Sequence, residues 1–417
     1  MIHISNLRKE SADGWTKLVA DITHGGGGNS TYLAEPNMWI AVKDEYADML
    51  SDDVYDAFVL VPLYMGMYYK EDLHIHGCVS KKLYKNVMHY LQRILCDFSE
   101  ELSRIDIQVD GFKAADGEPG IIGTGISCGV DSLTTIYDHY VNEDDPDYRI
   151  NGLFFYNCGS HGEYGEKSEQ LFFERYALNK AAADDLGLPV YLINSNLHAF
   201  VYSVGHDQNI GFMARYSCIL SLQKAVRMYY LSSGLSYNEI MTFGNLVERN
   251  LDFAGFSESY SIPLIRTEKL ELVVDGCQYT RSQKTERISG WDIAQKYLNV
   301  CVDTSAEGHN CSKCGKCMRT LIALEALGKL NDFAGVFDIK TYKKHSFINK
   351  CKIAVTTTTN AFSMDNYTFA LKHGLKMPSR ITSYIFLLPF AFRNPKKVLR
   401  KILGNTFYDN LKRTLKR

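Results

Sequence analysis

Apolar positions along this chain fall into two periods, one suited to strands and one to helices. In the first 115 residues, stretches 38–42, 57–61, 73–79 and 105–109 read as strands. Residues 81–102 carry a helical pattern, with Ser80 standing where an N-cap would. From Gly120 onward strand and helix alternate. Residues 121–125 form a short apolar strand, 133–140 a helix and 148–156 a second strand. Residues 169–186 form a helix that Gly187 can cap, followed by strand 188–194, helix 214–231 and strand 239–244. Such alternation predicts an α/β fold, a parallel sheet with helices on both faces. The shorter pattern before it predicts an N-terminal α+β domain. The expected boundaries are 1–115, 116–340 and 341–417.

In a parallel sheet, ligands sit beyond the carboxyl ends of the strands. Four polar segments are expected at that edge: the loop from Ser127, the turn from Asn157, the loop 194–196 and the turn at Gly244. The run His24 to Asn29 is glycine-rich but precedes no helical pattern, so it reads as a flexible turn. His74 and His76 share one strand face. Two imidazoles can ligate a metal, and surface histidines are the plainer account. Residues 354–360 read as a strand or polar loop.

Composition narrows the function. Hydrophobic residues are 46% of 417, enough for a sizeable core in two or three units. A net charge of −2 gives no general electrostatic attraction to nucleic acid. Eleven cysteines, with no apolar signal segment after Met1, point to a reducing, cytoplasmic setting. No apolar run is long enough to span a bilayer.

The loop at the end of strand 121–125 is the richest in chemistry. Gly129 lets a ligand approach the backbone, and the next helix opens with N–H groups aimed at an anion. Ser127 and Ser132 add hydroxyls. Asp131 cannot hold a phosphate but can hold Mg²⁺. A dinucleotide fingerprint fails because Cys128 stands at its third glycine, and no Walker A loop is present. Ser127, Cys128, Gly129, Val130, Asp131 and Ser132 fit the pattern S-G-G-x-D-S except at Cys128. Further on, Cys301, Cys311, Cys314 and Cys317 have the spacing C-x9-C-x2-C-x2-C, which suits a closed four-thiolate zinc site. An iron–sulfur cluster uses similar ligands, and His309 is an alternative to Cys301.

The loop, the cysteines and their order resemble the N-type PP-loop ATP pyrophosphatase superfamily, in particular its 7-cyano-7-deazaguanine synthase branch. The resemblance runs from about Gly123 to Gly328. It implies a PP-loop, HUP-like catalytic domain that splits ATP between its α- and β-phosphates. AMP is placed on a substrate oxygen, and a nitrogen or sulfur nucleophile then displaces it. By this resemblance Ser127, Gly129, Asp131 and Ser132 hold pyrophosphate and Mg²⁺, with Cys128 and Val130 completing the loop. Lys284 and Arg215 are the catalytic cations, Asn157 and Gly244 line the nucleotide site, and Arg319 follows the zinc cysteines. The zinc is expected to be structural, holding the C-terminal part of the catalytic domain near the nucleotide.

Two departures stand out. Cys128 replaces a loop glycine. The N-terminal part and the tail have no place in the plain deazaguanine enzyme, so a different small-molecule acceptor is expected, a sugar among the choices. No glutaminase feature is visible, so ammonia would be free or come from a partner. Sulfur transfer to RNA, with Cys158 at a strand end, and a degenerate nucleotide-binding or scaffold module are the alternatives. From Pro395 onward eight Lys/Arg face one acid, Asp409, and Leu399, Ile402, Leu403, Leu411 and Leu415 space an apolar stripe. Behind the apolar stretch 384–392, this tail suits peripheral contact with the inner face of a membrane, or a packed terminal helix with a solvated basic face.

Overall fold

Ten strands form one sheet in the order β10-β9-β6-β7-β8-β3-β2-β1-β4-β5. The strands are β1 Ile2–Ala12, β2 Trp15–His24, β3 Asn37–Lys43, β4 Leu73–Val79 and β5 Ile107–Phe112. They continue with β6 Ile121–Gly125, β7 Gly152–Asn157, β8 Val190–Ser195, β9 Val226–Ser232 and β10 Glu271–Asp275. The structure is a computed structural model, and it describes residues 1–25, 33–204, 208–243, 253–301 and 309–393.

The five strands from β6 to β10 are mutually parallel. Numbered among themselves they run 3-2-1-4-5, a doubly wound order whose direction reverses between β6 and β9. Every residue of β7 is buried, so the sheet is covered on both faces there. The first five strands begin as an antiparallel meander, β1 with β2 and β2 with β3. β4 and β5 then add in parallel beside β1. The two halves meet where β3 pairs antiparallel with β8, Ile40 opposite Ser195 and Val42 opposite Ile193. At this seam the Asn196 side chain accepts from Trp39 N–H at 2.7 Å and donates to Asn37 O at 2.9 Å.

The chain forms two compact units, residues 1–300 with 307–309, and residues 301–306 with 310–417. The strands on either side of residue 115 therefore share one sheet, and the units divide near residue 301. In the second unit, helices Gly315–Ala326, Ile339–Thr356, Ala361–Lys372 and Arg380–Arg393 pack around Tyr342, Cys351, Phe369 and Leu321. No helix among the described residues is long and apolar enough to cross a membrane.

Several expected elements change type. Residues 57–61, expected as a strand, run into the helix Leu60–Tyr69, which is buried through Met67. A helix buried on all sides has no polar face to mark its period, and Pro62 sits in its first turn, where its missing N–H costs nothing. The helix expected over 214–231 ends at Leu220, and its last residues are β9. The strand expected at 239–244 is instead the helix Tyr237–Phe243. Ser236 and Glu239 bracket its start: Ser236 N–H and hydroxyl each donate to Glu239 Oε2 at 2.7 Å. The helix from Lys81 holds to Phe98 with a wider turn at Val87–Leu91, but Ser80 does not cap it. Its N–H and hydroxyl serve the buried Asp56 instead. The segment expected as a strand or loop at 354–360 is the end of helix Ile339–Thr356 and a turn. Residues 26–29 of the glycine cluster and residues 394–417 of the tail lie outside the described residues.

Candidate functional site

β6 ends at Gly125 beside the point where strand order reverses, and residues 126–129 turn into a helix that starts at Val130. That helix continues through a wider last turn, Tyr137–Val141. Ser127 Oγ lies 3.0 Å from Ser132 Oγ, and Gly129 N–H donates to Ser127 Oγ at 3.4 Å. The loop is thus closed on itself by its own hydroxyls. Cys128 takes φ +50°, the left-handed conformation that a glycine would adopt freely. Its carbonyl accepts from Asn299 N–H at 2.8 Å, which braces the turn. The Cys128 side chain is buried, and burial pushes its thiol up to about 12, so it stays protonated and is no nucleophile.

Gly123 has a packing role. A Cβ there would stand 2.2 Å from the Phe154 ring.

Two cations meet Asp131. Arg281 Nη1 ion-pairs with Asp131 Oδ2, and Lys284 Nζ lies 3.4 Å from Oδ1. Burial works to raise the Asp131 carboxyl, but Arg281 and Lys284 outweigh it and hold it below the usual range. Lys284 is 1% exposed, and its Nζ also donates to Ser233 O at 2.6 Å. Gly276, at φ +82°, makes room for it, since a Cβ there would sit 3.0 Å from Nζ. Both cations ride on the helix Arg281–Ile288, which opens with a capping box between Thr280 and Gln283. Positive side chains in the first turn oppose the helix dipole. An anion between them and the loop offsets that opposition, and Asp131 supplies one. Arg287 ion-pairs with Asp138, locking this helix to the one that follows the loop.

Arg215 lies on helix Gln208–Leu220. Burial works against its charge, but Tyr216, Cys158 and Glu258 outweigh this and hold the guanidinium above its ordinary value. Glu258 is pushed up to about 6 by burial, with Arg215 opposing and Asp131 reinforcing the shift. Cys158 closes β7 at the same edge. A hydrogen bond from Cys218, together with Arg215, lowers its thiol against the effect of burial.

Asn157 is at the strand edge but is already engaged. Its amide donates to Asn194 Oδ1 at 2.8 Å, and its carbonyl accepts from the Ser195 hydroxyl at 2.7 Å. It braces β7 against β8. Gly244 lies outside the described residues, and the strand expected to lead to it is a helix. The carboxyl edge there is filled by β9, which ends at Ser232 and passes to the Ser233 that holds Lys284.

In the second unit, Cys301, Cys311, Cys314 and Cys317 place their sulfurs within 4.8 Å of one another. Sγ separations are 3.9 Å for Cys301–Cys314 and 4.0 Å for Cys311–Cys317. Zinc–sulfur bonds of about 2.3 Å in a tetrahedron put sulfurs about 3.8 Å apart, so the four fit one zinc ion. Backbone N–H groups of Cys311 and Cys314 point at the sulfurs of Cys301 and Cys311, at 3.4 and 3.3 Å, and stabilise thiolate charge. His309 is exposed, and the four-sulfur set is complete without it.

No family model matches the chain, and neither a curated protein nor a solved structure matches it.

Sequence reasoning passed over Arg281, Ser233 and Glu258. Arg281 precedes Lys284 by three residues, so the two share a helix face, and that spacing was the available signal. Ser233 and Glu258 carry no local signal, because long-range packing brings them to the edge.

Proposed function

We propose that the chain is an ATP-dependent enzyme of the PP-loop class, forming AMP and pyrophosphate while it installs nitrogen on a small-molecule acceptor. One observation carries this reading. A lysine that is 1% exposed, Lys284, and the carboxylate Asp131 converge on a hydroxyl-lined loop at the point where strand order reverses.

In this reading Ser127, Gly129, Ser132 and the N-terminal N–H groups of the following helix bind the β- and γ-phosphates. The acceptor's carboxylate, carbonyl or amide oxygen attacks the α-phosphorus. The bond from that phosphorus to the α,β-bridging oxygen breaks, and pyrophosphate leaves. Ammonia then attacks the activated carbon, and AMP departs with the acceptor's oxygen. Lys284, Arg281 and Arg215 stabilise the charge that develops on the phosphates. Mg²⁺, when bound, supplies charge neutralisation on pyrophosphate, with Asp131 as its carboxylate ligand. Both Asp131 oxygens face Arg281 and Lys284, so Asp131 would hold the ion only with those two cations turned to phosphate oxygens.

The test is ATP turnover by purified protein with Mg²⁺, ammonia and a metabolite extract. AMP and pyrophosphate that depend on the extract are expected, with Lys284→Ala lowering the rate about 10²- to 10³-fold. ADP and phosphate would overturn the reading.

A further inference from the structure

The first half of the sheet carries a second cluster of metal-ligating side chains, apart from the four cysteines. β1 and β4 are parallel neighbours with His3 opposite His74. Alternation turns Ile2, Ile4, Leu73 and Ile75 into the core, where each is 0% exposed. His3, His74 and His76 therefore share the other face. Their ring centroids are 3.9 Å apart for His74–His76, 5.3 Å for His3–His76 and 5.8 Å for His3–His74. One ring nitrogen from each lies within 4.8 Å of the others, and His3 Nδ1 is 3.0 Å from His76 Nε2. Imidazole–zinc bonds of about 2.0–2.1 Å in a tetrahedron put nitrogens about 3.3 Å apart. Small ring rotations bring the three to that spacing.

We propose that His3, His74 and His76 form a second metal site that takes a divalent ion of the zinc class through three imidazole nitrogens. The surroundings fit such an ion. Asp110 Oδ1, on β5, lies 3.4 Å from His74 Nε2, as a fourth ligand or as the carboxylate that orients the ring. His76 is exposed, so an ion can reach the cluster from solvent.

The experiment uses the full chain, stripped of metal and titrated with Zn²⁺ alone, then with Co²⁺ alone. Wild type is expected to bind two zinc ions per chain. His76→Ala should bind one and keep the metal-free melting temperature of wild type, because His76 is exposed. His76→Gln serves as the second variant and should lose the same ion. Asp110→Asn should weaken that site about tenfold. Cobalt in wild type should show thiolate charge-transfer absorption from one site only, and His76→Ala should leave that absorption unchanged. One zinc per chain in wild type, or two zincs retained by both His76 variants, would overturn the proposal. Neither result bears on the ATP chemistry.

Discussion

Cys128 is the residue where local conformation and sequence disagree most openly. Its φ of +50° costs a residue with a Cβ about 1–2 kcal/mol, and the buried thiol recovers part of that through packing. Cys128→Gly should therefore stay within about 1 kcal/mol of wild type and keep ATP binding. Cys128→Val, β-branched at positive φ, should lose about 2 kcal/mol and the nucleotide site together. Thermal melts with and without MgATP check both; a well-folded, ATP-binding valine variant would contradict this account of the loop. Asp56 is a second residue with a definite sign. Burial, opposed by bonds from Ser80 and Gln223, pushes its carboxyl up to about 6. The unfolded chain releases that proton near pH 3.9. Between these values the folded state holds the extra proton, so this group's contribution is full below about pH 4 and lost as pH rises through 6. Asp56→Asn should gain about 2–3 kcal/mol relative to wild type between pH 4 and pH 7, read from paired denaturant melts. At this scale the sequence was legible where residue type and spacing are tied to chemistry, as with the four cysteines that cluster in the second unit. It was less so at Arg281, where a cation in a first helical turn reads as a solvated charge until its partner is seen.

Among elements, strands β3 to β8 were legible, the fully buried β7 included, whereas β1, β2 and β10 were not read as strands. β4 alternates His with Leu and Ile, and its expected bounds match the structure. The helix Leu60–Tyr69 and the strand β9 are both nearly all apolar, so periodicity cannot separate them. Helix Tyr237–Phe243 did carry a signal, the Ser236 and Glu239 capping pair, which the apolar reading of 239–244 overrode. The cysteine turn and the helix Gly315–Ala326 form one element in energetic terms. Cys314 is the residue before that helix, and Cys317 lies in its first turn. Cys314→Ser should lose one zinc per chain and loosen the unit from residue 310 onward, since a structural zinc contributes folding energy. Metal analysis with hydrogen exchange over that unit checks it; a wild-type protein that carries no metal at these cysteines would contradict it.

At the scale of the molecule, the sheet joins segments that the sequence suggested were separate. The seam pairs Ile40 with Ser195 and Val42 with Ile193, a contact between distant parts of the chain that leaves no local pattern. What the sequence did carry was the alternation after Gly120, and with it the edge where the loop, Asn157 and Asn194 gather. At the other end, helix Arg380–Arg393 exposes Ile381, Tyr384, Ile385, Phe386 and Leu388. The basic residues from Lys396 follow it in sequence. An apolar helix face ahead of a cationic tail should hold the protein on anionic vesicles, and truncation after Pro395 should weaken that binding steeply at low salt. Equal sedimentation of both forms with such vesicles would leave the tail as a solvated terminus.

Reversible transfer of AMP at the loop is read by isotope exchange. Labelled pyrophosphate is incubated with ATP, Mg²⁺, the protein and acceptor-containing extract, without ammonia. Label should appear in ATP only when the extract is present, and Asp131→Asn and Lys284→Ala should show no exchange. Acceptor-independent release of ADP, or exchange undiminished in both variants, would contradict it.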